Sequence, residues 1–447
     1  MNRLVIVSNR VPPRERSSAA GGLAVALREA ITRRETLWLG WSGATASAPA
    51  VEPTLHRVGR LTYATLDLAA DDYAGYYRGF SNGMLWPLLH HRVGLSEFRR
   101  EDLAAYRRVN HTFALALAQL LRPGDAVWVH DYHLFPLGAE LRALGVRVRI
   151  GFFLHVPFPP RALWETLPDG DALIRDIGTY DVVGVQTEDD ARHLNELLAM
   201  QGEVPRARAF PVGIDPAAFA KAARTAAGGE EVKRLGQSLG NRALILGIDR
   251  LDYSKGLVQR FEGYAKLLRR FPEHCNKVTF LQIAPVSRGD VTQYRSLRRE
   301  LDELAGRINS EHAEFDWAPL RYLTRTVRRN VLAGFCRMAA VGLVTPLRDG
   351  MNLVAKEYVA AQDPDDPGVL VLSRFAGAVG DLEGAIVINP HDPDAIAEAL
   401  HVALSIPAEE RRARWATMWR GVNRHTAASW ARGFLAALEG VAASRAA

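Results

Sequence analysis

Cysteine is scarce in this sequence, with Cys275 and Cys336 the only two among 447 residues. Two cysteines without a CxxC spacing provide neither a disulfide framework nor a thiolate metal site, which excludes a small disulfide-stabilised secreted protein. A chain of this length can bury a large core without such cross-links. The cysteine content is typical of the reducing cytosol, and we expect a cytoplasmic location.

Long apolar stretches are also missing. The most apolar segment, around residues 113–121, is much shorter than the roughly 20 residues of a membrane-spanning helix. The first ten residues, MNRLVIVSNR, carry too short an apolar run for a signal peptide and instead predict a β-strand. We therefore expect no association with a membrane.

Lysine is rare, and nearly all of the 56 basic residues are arginine. The net charge of +6 comes from basic residues spread along the chain rather than gathered in one cluster. Nucleic-acid binding needs a dense basic face, so we expect no nucleic-acid partner. The distribution fits pockets for phosphate-bearing substrates. It also draws attention to Lys255, a rare lysine followed by glycine.

Apolar, β-branched runs alternate with amphipathic segments along the chain. The runs are continuous, which indicates strands buried on both faces and hence parallel sheets. We predict an α/β fold with two Rossmann-like domains facing each other across a cleft. An Ala/Gly/Lys/Glu-rich stretch between residues 217 and 241 separates two sets of strands. The predicted domains are 1–228 and 229–426, and 427–447 is predicted to be a C-terminal helix that packs back on the first domain.

Two segments have the composition of phosphate-binding loops. Arg10 follows the first predicted strand, and Gly21 and Gly22 precede a helix-like run, where backbone N–H groups could approach an anion. Arg250 and Lys255 share one loop after the strand ALILGID, and together they could neutralise a diphosphate without a metal ion. Ordinary turns or solvated charged loops without a ligand are the alternative interpretation.

A third segment follows the strand VGLVTP. Asn352 is placed as a helix N-cap, which would leave the N–H groups of Leu353 and Val354 available to phosphate oxygens. Glu357 lies one turn beyond Leu353 on the same face and could accept both hydroxyls of a ribose. Asp349, in the preceding turn, could accept hydroxyls from a sugar. This arrangement favours a sugar-nucleotide site over a solvated loop.

Aromatic, acidic and imidazole side chains follow the strands of the first domain and could form a platform for a sugar ring. They are Trp41, Tyr77, Trp86, the run 130–133 (HDYH) and His155. The HxxH spacing could instead indicate a metal pair, but zinc needs a third ligand. No DxD sequence directly follows an apolar strand. We therefore predict no metal site and no cofactor, and His155 could also be a structural core histidine.

Many segments resemble the trehalose-6-phosphate synthases, retaining glycosyltransferases of family 20 that have two Rossmann domains (the GT-B architecture). The matches in the first domain are VSNR (7–10), AGGLAV (20–25), GWSG (40–43), YYRGFSNGMLWP (76–87), VHDYHL (129–134) and GFFLHVPFP (151–159). Those in the second are RLDYSKG (250–256), QIAPVSRGDV (282–291), AGRIN (305–309), VGLVTPLRDGMNLVAKEYVAAQ (341–362) and GVLVLSRFAGA (368–378). Matches of this length are far more specific than a single short motif.

The resemblance implies transfer of glucose from a nucleoside-diphosphate glucose to glucose 6-phosphate, which gives trehalose 6-phosphate. UDP-glucose is the expected donor, with ADP-glucose and GDP-glucose as alternatives. The first domain would hold the acceptor and the second the nucleotide sugar. The implied acceptor residues are Arg10, Tyr77, Trp86, Asp131 and Arg288, with Arg10 and Arg288 on the phosphate. Trp86 and Val156 would lie near the anomeric centre and help to fix the α configuration.

The resemblance also implies the donor site. Gly21, Gly22, Arg250 and Lys255 would bind the diphosphate, Val327 would offer backbone contacts to the base, and the phosphate and ribose would be taken by Leu353, Val354, Ala355, Lys356 and Glu357. His155 and Asp349 would contact the donor sugar and, with Arg250 and Lys255, form the catalytic group. The sequence departs from the family at Val327, where an aromatic residue is expected, and in the loop at 11–20, which is one residue shorter. Both departures bear on specificity.

Two alternative functions share parts of this pattern. An enzyme that uses glycerol 3-phosphate as acceptor would keep the donor half, but the acceptor set of the first domain argues against it. An inactive regulatory homologue would be expected to lose the donor-site charges, which are present. No DxDxT motif is present, so we expect a separate phosphatase to act on the product. We also expect a homo-oligomer, either a tetramer or a dimer.

Overall fold

The computed structural model describes residues 3–12, 27, 34–47, 51–204, 206–286 and 292–441. These residues form two compact units. The first contains the described residues up to 211 together with 428–441, and the second contains those from 212 to 427. Among the described residues, no helix combines the length and the apolar character that crossing a membrane requires.

The first unit is built on an eight-stranded sheet. Its strands are β1 (Leu4–Arg10), β2 (Thr36–Ala46), β3 (Thr54–Val58), β4 (Leu61–Ala69), β5 (Ala126–His130), β6 (Arg149–Phe153), β7 (Val182–Val185) and β8 (Ala207–Ala209). They lie in the order β3-β4-β2-β1-β5-β6-β7-β8, and every pair is parallel except β3 with β4. The strand order reverses between β1 and β5, and parallel sheets bind ligands beyond the carboxyl ends of their strands at such a point.

Helical segments connect these strands. They are α1 (Ala70–Asp72), a π-helix (Tyr73–Leu85), α2 (Trp86–Leu89), α3 (Arg100–Leu120), α4 (Leu137–Ala143), α5 (Arg161–Trp164), α6 (Gly170–Gly178) and α7 (Glu188–Met200), with short 3₁₀ turns at Val93–Leu95 and Tyr132–Leu134. The longest, α3, buries Tyr106, Val109, Phe113 and Leu117, whose spacing gives one apolar face. A 13-residue π-helix is unusual, and π-helical turns occur frequently at functional sites.

The second unit has a fully parallel six-stranded sheet. Its strands are β9 (Ala243–Ile248), β10 (Val278–Ile283), β11 (Leu320–Leu323), β12 (Val341–Val344), β13 (Val369–Ser373) and β14 (Ile386–Ile388). The order β11-β10-β9-β12-β13-β14 is that of dinucleotide-binding Rossmann domains. Its reversal lies between β9 and β12, so the loops after these two strands mark the expected binding site.

Helices cover both faces of this sheet and enclose two apolar layers. They are α8 (Pro216–Ala227), α9 (Glu230–Leu239), α10 (Leu257–Arg270), α11 (Thr292–His312), α12 (Arg329–Met338), α13 (Leu353–Ala361), α14 (Pro393–Ser405) and α15 (Ala408–Arg424), with 3₁₀ turns at Tyr253–Lys255, Pro272–His274 and Gly377–Asp381. Two units, each built on a mostly parallel sheet covered by helices, confirm the predicted α/β fold class.

The division between the units differs from the predicted boundary at 228/229. It falls after residue 211, because α8 belongs with the second unit. This helix packs against α12, where the Arg329 guanidinium lies 5.3 Å from the Phe219 ring and Gly334 approaches Ala226. The chain returns to the first unit after residue 427, and the two connecting segments run side by side, with Ala427 N donating to Ile214 O at 3.0 Å.

The last helix, α16 (Ala427–Gly440), packs on the first unit. Its Phe434 ring stacks on Trp128 of β5 at 4.6 Å, and its Trp430 ring meets Phe153 of β6 edge-on at 5.1 Å. The aromatic residues spaced four apart in the sequence therefore form the face that covers the sheet.

Candidate active site

Two loops of the second unit meet beyond the carboxyl ends of β9 and β12. Lys255 comes from the first loop and Asp349 from the second, and Lys255 Nζ donates to Asp349 Oδ2 at 2.6 Å. Both side chains are largely buried. Asn352 Nδ2 donates to the same carboxylate oxygen at 3.0 Å, and Gly350 N donates to Oδ1 at 3.1 Å. The ammonium group is thus held in a fixed position at the reversal point of the sheet.

Helix α13 begins beside this ion pair. Asn352 is its N-cap, as predicted, because Asn352 Oδ1 accepts from Ala355 N at 3.3 Å. Asn352 has a φ of 68°, a left-handed conformation that asparagine adopts more readily than most residues. The first amides of a helix have no acceptor within the helix, so those of Leu353 and Val354 present N–H groups at the positive end of the helix dipole. Such a helix start suits a phosphate.

The remaining residues of the predicted donor site on α13 are Ala355, Lys356 and Glu357, and the first two are more buried than Leu353 and Val354. Glu357 Oε1 accepts from Arg329 Nη2 at 2.7 Å, and burial raises the pKa of the Glu357 carboxyl. Ala355 is fully buried. The Lys356 ammonium is also fully buried, 2.7 Å from Asp381 Oδ2. The Lys356 side chain therefore lies in the protein interior, so only the backbone of this residue can contact a nucleotide-sugar donor.

A buried arginine that the sequence analysis missed connects the same loops. Arg260 Nη1 lies 2.7 Å from Asp249 Oδ2, directly after β9, and donates to Gln282 Oε1 of β10 at 2.9 Å. Arg260 Nε donates to Thr345 Oγ1, directly after β12, at 2.9 Å. One fully buried guanidinium thus fixes the carboxyl ends of three strands. Its position beside Phe261 on the apolar face of α10 was a signal available in the sequence.

The other predicted donor residues lie nearby or outside the described residues. Arg250 directly follows Asp249 in the β9 loop and is exposed. Val327 lies in the segment before α12 and packs partly buried against the core. Gly21, Gly22 and Arg288 fall outside the described residues.

In the first unit, aromatic rings gather beside the end of β1. Tyr77, from the π-helix, stacks on His133 with ring centroids 5.9 Å apart and lies 5.9 Å from Trp41. The exposed Arg10 guanidinium lies 5.5 Å from the Trp41 ring and passes over Gly43. Gly43 has a φ of 99°, and a Cβ there would collide with Arg10 Nη2. Glycine is therefore required for the observed position of Arg10.

Asp131 follows β5 in a strained backbone conformation, with a φ of 78°. Its backbone N–H donates to Phe153 O at 2.8 Å, and its Oδ1 accepts from His155 N at 3.2 Å. Strain of this kind persists where the surrounding structure fixes it, and it concentrates at functional sites. The loops after β5 and β6 are thereby joined at the carboxyl edge of the sheet.

His155 forms an imidazole pair with His130. His155 Nε2 and His130 Nδ1 are 3.0 Å apart. Burial lowers the pKa of His155 to about 3 and lowers that of His130 well below its ordinary value. Both rings are therefore neutral near pH 7, so one donates an N–H to the other. His155 can offer hydrogen bonds to a ligand, but it is not a proton-donating imidazolium.

The remaining predicted residues of the first unit are buried close to this set. The Trp86 ring begins α2 and lies 5.7 Å from the Tyr132 ring. Val156 follows His155 directly and is buried. The structure thus places Tyr77, Trp86, Asp131, His155 and Val156 in segments that follow strands of the first sheet, as the sequence predicts. Arg10 is the last residue of β1 itself and does not follow the strand.

Comparisons with known proteins agree with this architecture. The model of glycosyltransferase family 20 matches residues 2–440. The chain is 47% identical to a trehalose-6-phosphate synthase of Sinorhizobium fredii, over 97% of this chain and 98% of that protein. Its fold also matches the crystal structure of an α,α-trehalose-phosphate synthase (UDP-forming) from Burkholderia vietnamiensis with a TM-score of 0.97. The two sequences are 47% identical, and the match covers 99% of this chain and 100% of that chain.

A second solved structure carries a ligand. It is an α,α-trehalose-phosphate synthase (UDP-forming) from Burkholderia xenovorans in complex with glucose-6-phosphate, 44% identical over 98% of this chain and 100% of that one, with a TM-score of 0.94. The chain therefore resembles these proteins in both sequence and fold over nearly its whole length. On this evidence the chain belongs to glycosyltransferase family 20.

Proposed function

We infer that the chain transfers glucose from UDP-glucose to glucose 6-phosphate and so forms α,α-trehalose 6-phosphate, the first step of trehalose biosynthesis. The observation that carries this inference is the fixed Lys255–Asp349 pair beside the start of α13, in a chain whose relatives are trehalose-6-phosphate synthases over their full length. The reversal point of a Rossmann sheet is the place where a nucleotide diphosphate binds.

The reaction needs stabilisation of a departing diphosphate. Lys255 supplies a fixed ammonium, Arg250 an exposed guanidinium in the same loop, and α13 the N–H groups of its first turn. Preorganised groups of this type typically contribute about 10²–10³-fold each to turnover. Asp349 orients the ammonium and can accept sugar hydroxyls. Since cationic and dipolar groups together balance the diphosphate, we propose that no metal ion is required.

The acceptor half has a different task. An arginine fork can make two charge-assisted hydrogen bonds to a phosphate, and Arg10 is held in place over Gly43 and Trp41 for that role. Tyr77 and Asp131 would hold the ring of glucose 6-phosphate. Trp86 and Val156 would shape the space around the anomeric carbon. A second phosphate contact from Arg288 rests on the family resemblance.

The protonation state of His155 bears on the stereochemical course. With a pKa of about 3 the imidazole is neutral near pH 7, so it lacks the acidic proton with which an imidazolium would protonate the leaving group. We therefore propose that the leaving phosphate oxygen takes the proton of the attacking hydroxyl on the same face of the sugar. That course retains the α configuration. His155 and Asp349 would meanwhile hold the hydroxyls of the transferred glucose.

One assay tests the proposed function. UDP-, ADP- and GDP-glucose are each incubated with glucose 6-phosphate or glycerol 3-phosphate, after treatment with a chelator, and the product is identified by mass and by NMR. We expect α,α-trehalose 6-phosphate, with UDP-glucose as the best donor and no loss of rate from chelation. A preference for glycerol 3-phosphate would overturn the acceptor assignment, and restoration of lost activity by a divalent ion would overturn metal independence.

We further propose how the enzyme operates in the cell. Glucose 6-phosphate and UDP-glucose are cytoplasmic metabolites, which supports a cytoplasmic reaction. The product keeps its phosphate, so a separate phosphatase is needed to release trehalose. The enzyme is proposed to act as a homo-oligomer, a dimer or a tetramer, which light scattering of the purified chain would measure.

A further inference from the structure

Two imidazoles and a carboxylate converge at the edge of the second sheet opposite the donor loops. Glu273 and His274 lie in the 3₁₀ turn that leads from α10 into β10, and His401 lies near the end of α14. This turn precedes β10, so it lies at the amino ends of the strands, whereas Lys255 and Asp349 lie beyond the carboxyl ends. The cluster is therefore separate from the proposed active site.

The separations among these ligand atoms match those around a small cation. His274 Nε2 lies 3.0 Å from His401 Nδ1, and Glu273 Oε1 lies 3.6 Å from His401 Nδ1. All three atoms lie within 4.8 Å of one another. Tetrahedral zinc with Zn–N and Zn–O bonds near 2.0–2.2 Å places its ligand atoms about 3.3 Å apart. The two measured separations, both to His401 Nδ1, lie on either side of that value, and the third pair of ligand atoms lies within 4.8 Å.

A hydrogen-bonded histidine pair is the simpler explanation for the imidazoles alone. It explains their 3.0 Å separation, but it does not explain the carboxylate. The 3.6 Å between Glu273 Oε1 and His401 Nδ1 is too long for a hydrogen bond and close to a ligand–ligand spacing. The third group is therefore the feature that favours a metal site.

The elements that carry these ligands are held firmly together. The Phe271 ring stacks on His401 with centroids 4.0 Å apart and an interplanar angle of 10°, which fixes the orientation of the imidazole. Between α10 and α14, Lys266 Nζ donates to Asp394 Oδ2 at 2.5 Å and Arg270 Nη2 donates to Glu398 Oε1 at 2.8 Å. Preorganised ligands lower the cost of binding because little freedom remains to be lost.

We propose that Glu273, His274 and His401 bind one transition-metal ion of the Zn²⁺ class, which links the α10–β10 turn to α14. Two imidazole nitrogens and one carboxylate suit Zn²⁺, Co²⁺, Ni²⁺ or Cu²⁺, whereas Mg²⁺ and Ca²⁺ prefer oxygen ligands. Glu273 is exposed and His401 is partly exposed, so solvent can supply a fourth ligand. The ion would stabilise the fold and take no part in glucose transfer, so this proposal does not rest on the proposed function.

The test uses the full-length chain without an affinity tag, after removal of metals with a chelator. Co²⁺ titration followed by visible absorption should show one equivalent bound in a low-symmetry, four- or five-coordinate site, and Zn²⁺ should displace it. Zn²⁺ should also raise the midpoint of thermal unfolding. His401→Ala and Glu273→Gln should each weaken binding at least about tenfold. His111→Ala is the matched control, because His111 Nδ1 also pairs with a glutamate, Glu140, at 2.8 Å, and the described residues show no cluster of three metal-ligand groups that includes it.

Circular dichroism of each variant checks that it is folded. If His401→Ala does not fold, Glu273→Gln decides the question, because Glu273 is exposed and its replacement leaves the core unchanged. Binding lost in a folded ligand variant and kept in His111→Ala supports the site. An absent Co²⁺ signal, binding no tighter than millimolar, or equal affinity in wild type and the folded ligand variants would each overturn the proposal.

Discussion

The two units place different kinds of groups at the carboxyl edges of their sheets. The first unit presents aromatic rings and neutral imidazoles, with Arg10 as an exposed cation at the margin. The second presents buried ions in matched pairs, Lys255 with Asp349 and Arg260 with Asp249. A sugar ring is recognised by ring surfaces and directional hydrogen bonds, whereas a diphosphate is stabilised by fixed charge. The difference between the sites follows the difference between the two proposed substrates.

The comparison also predicts where mutations cost most. A buried charge that loses its partner remains in a medium that solvates it poorly, and the penalty is large. Removing a ring contact or an exposed arginine costs less free energy, because water replaces part of the interaction that the side chain made. We therefore expect substitutions at the paired ions of the second unit to have the largest effects.

The largest effect is expected for Arg260→Met. It leaves the buried Asp249 carboxylate without its cation and releases Gln282 and Thr345, so the free energy of unfolding should fall by about 3–5 kcal/mol in urea titrations. Arg269→Met is the control, because this arginine of the same helix is exposed and pairs with Glu311 at the surface. Its cost should stay below about 1 kcal/mol. Equal losses in the two variants would contradict a special role for Arg260.

Lys255→Ala tests charge stabilisation directly. Turnover should fall at least about 10²-fold, because the fixed ammonium beside Asp349 is lost from the path of the leaving diphosphate. Lys266→Ala removes another lysine that pairs with an aspartate at the surface of the same unit, and it should turn over normally. Steady-state kinetics with both substrates saturating give the comparison. Near-normal turnover of Lys255→Ala would remove this residue from the mechanism.

Arg10→Ala tests the exposed cation of the first unit. The KM for glucose 6-phosphate should rise by roughly ten- to more than a hundred-fold, the equivalent of about 1.5–3 kcal/mol for a charge-assisted contact. Hydrolysis of UDP-glucose without acceptor should change little. Gly43→Ala should give a similar change in KM, because its Cβ would displace the Arg10 guanidinium while leaving the charge in place. An unchanged KM in both variants would show that Arg10 does not bind the acceptor phosphate.

The smallest effect concerns the neutral imidazoles and depends on pH. The pKa of His155 is about 3 in the folded chain and near 6.5 when unfolded, so the unfolded chain binds the extra proton between these values. Stability is therefore full above pH 6.5 and falls on acidification, by at most about 1.4 kcal/mol per pH unit for this residue. His155→Gln should flatten that slope in urea titrations between pH 6.5 and 4.5, and His111→Gln should not. A steeper slope in His155→Gln would contradict the assignment.

The sequence predicted features that depend on local pattern. The parallel strands, the N-cap at Asn352 and the position of Lys255 after β9 all follow from residues close together in the chain. The boundary at 228/229 was wrong because α8 joins the second unit through packing against α12, about a hundred residues away. Arg260 was missed for the same reason, since its partners come from three separate strands. The direction of the Lys356 side chain likewise depends on the distant Asp381.

The neighbouring connecting segments make the second unit an insertion within the first. The chain leaves the first unit after residue 211 and rejoins it after 427, and Ile214 and Ala427 are hydrogen-bonded at that point. Gly213 lies so close to His425 O that a side chain there would collide with it. Residues 212–427 thus begin and end at one place, which is the topology of a module that can be acquired, exchanged or excised without cutting the surrounding sheet.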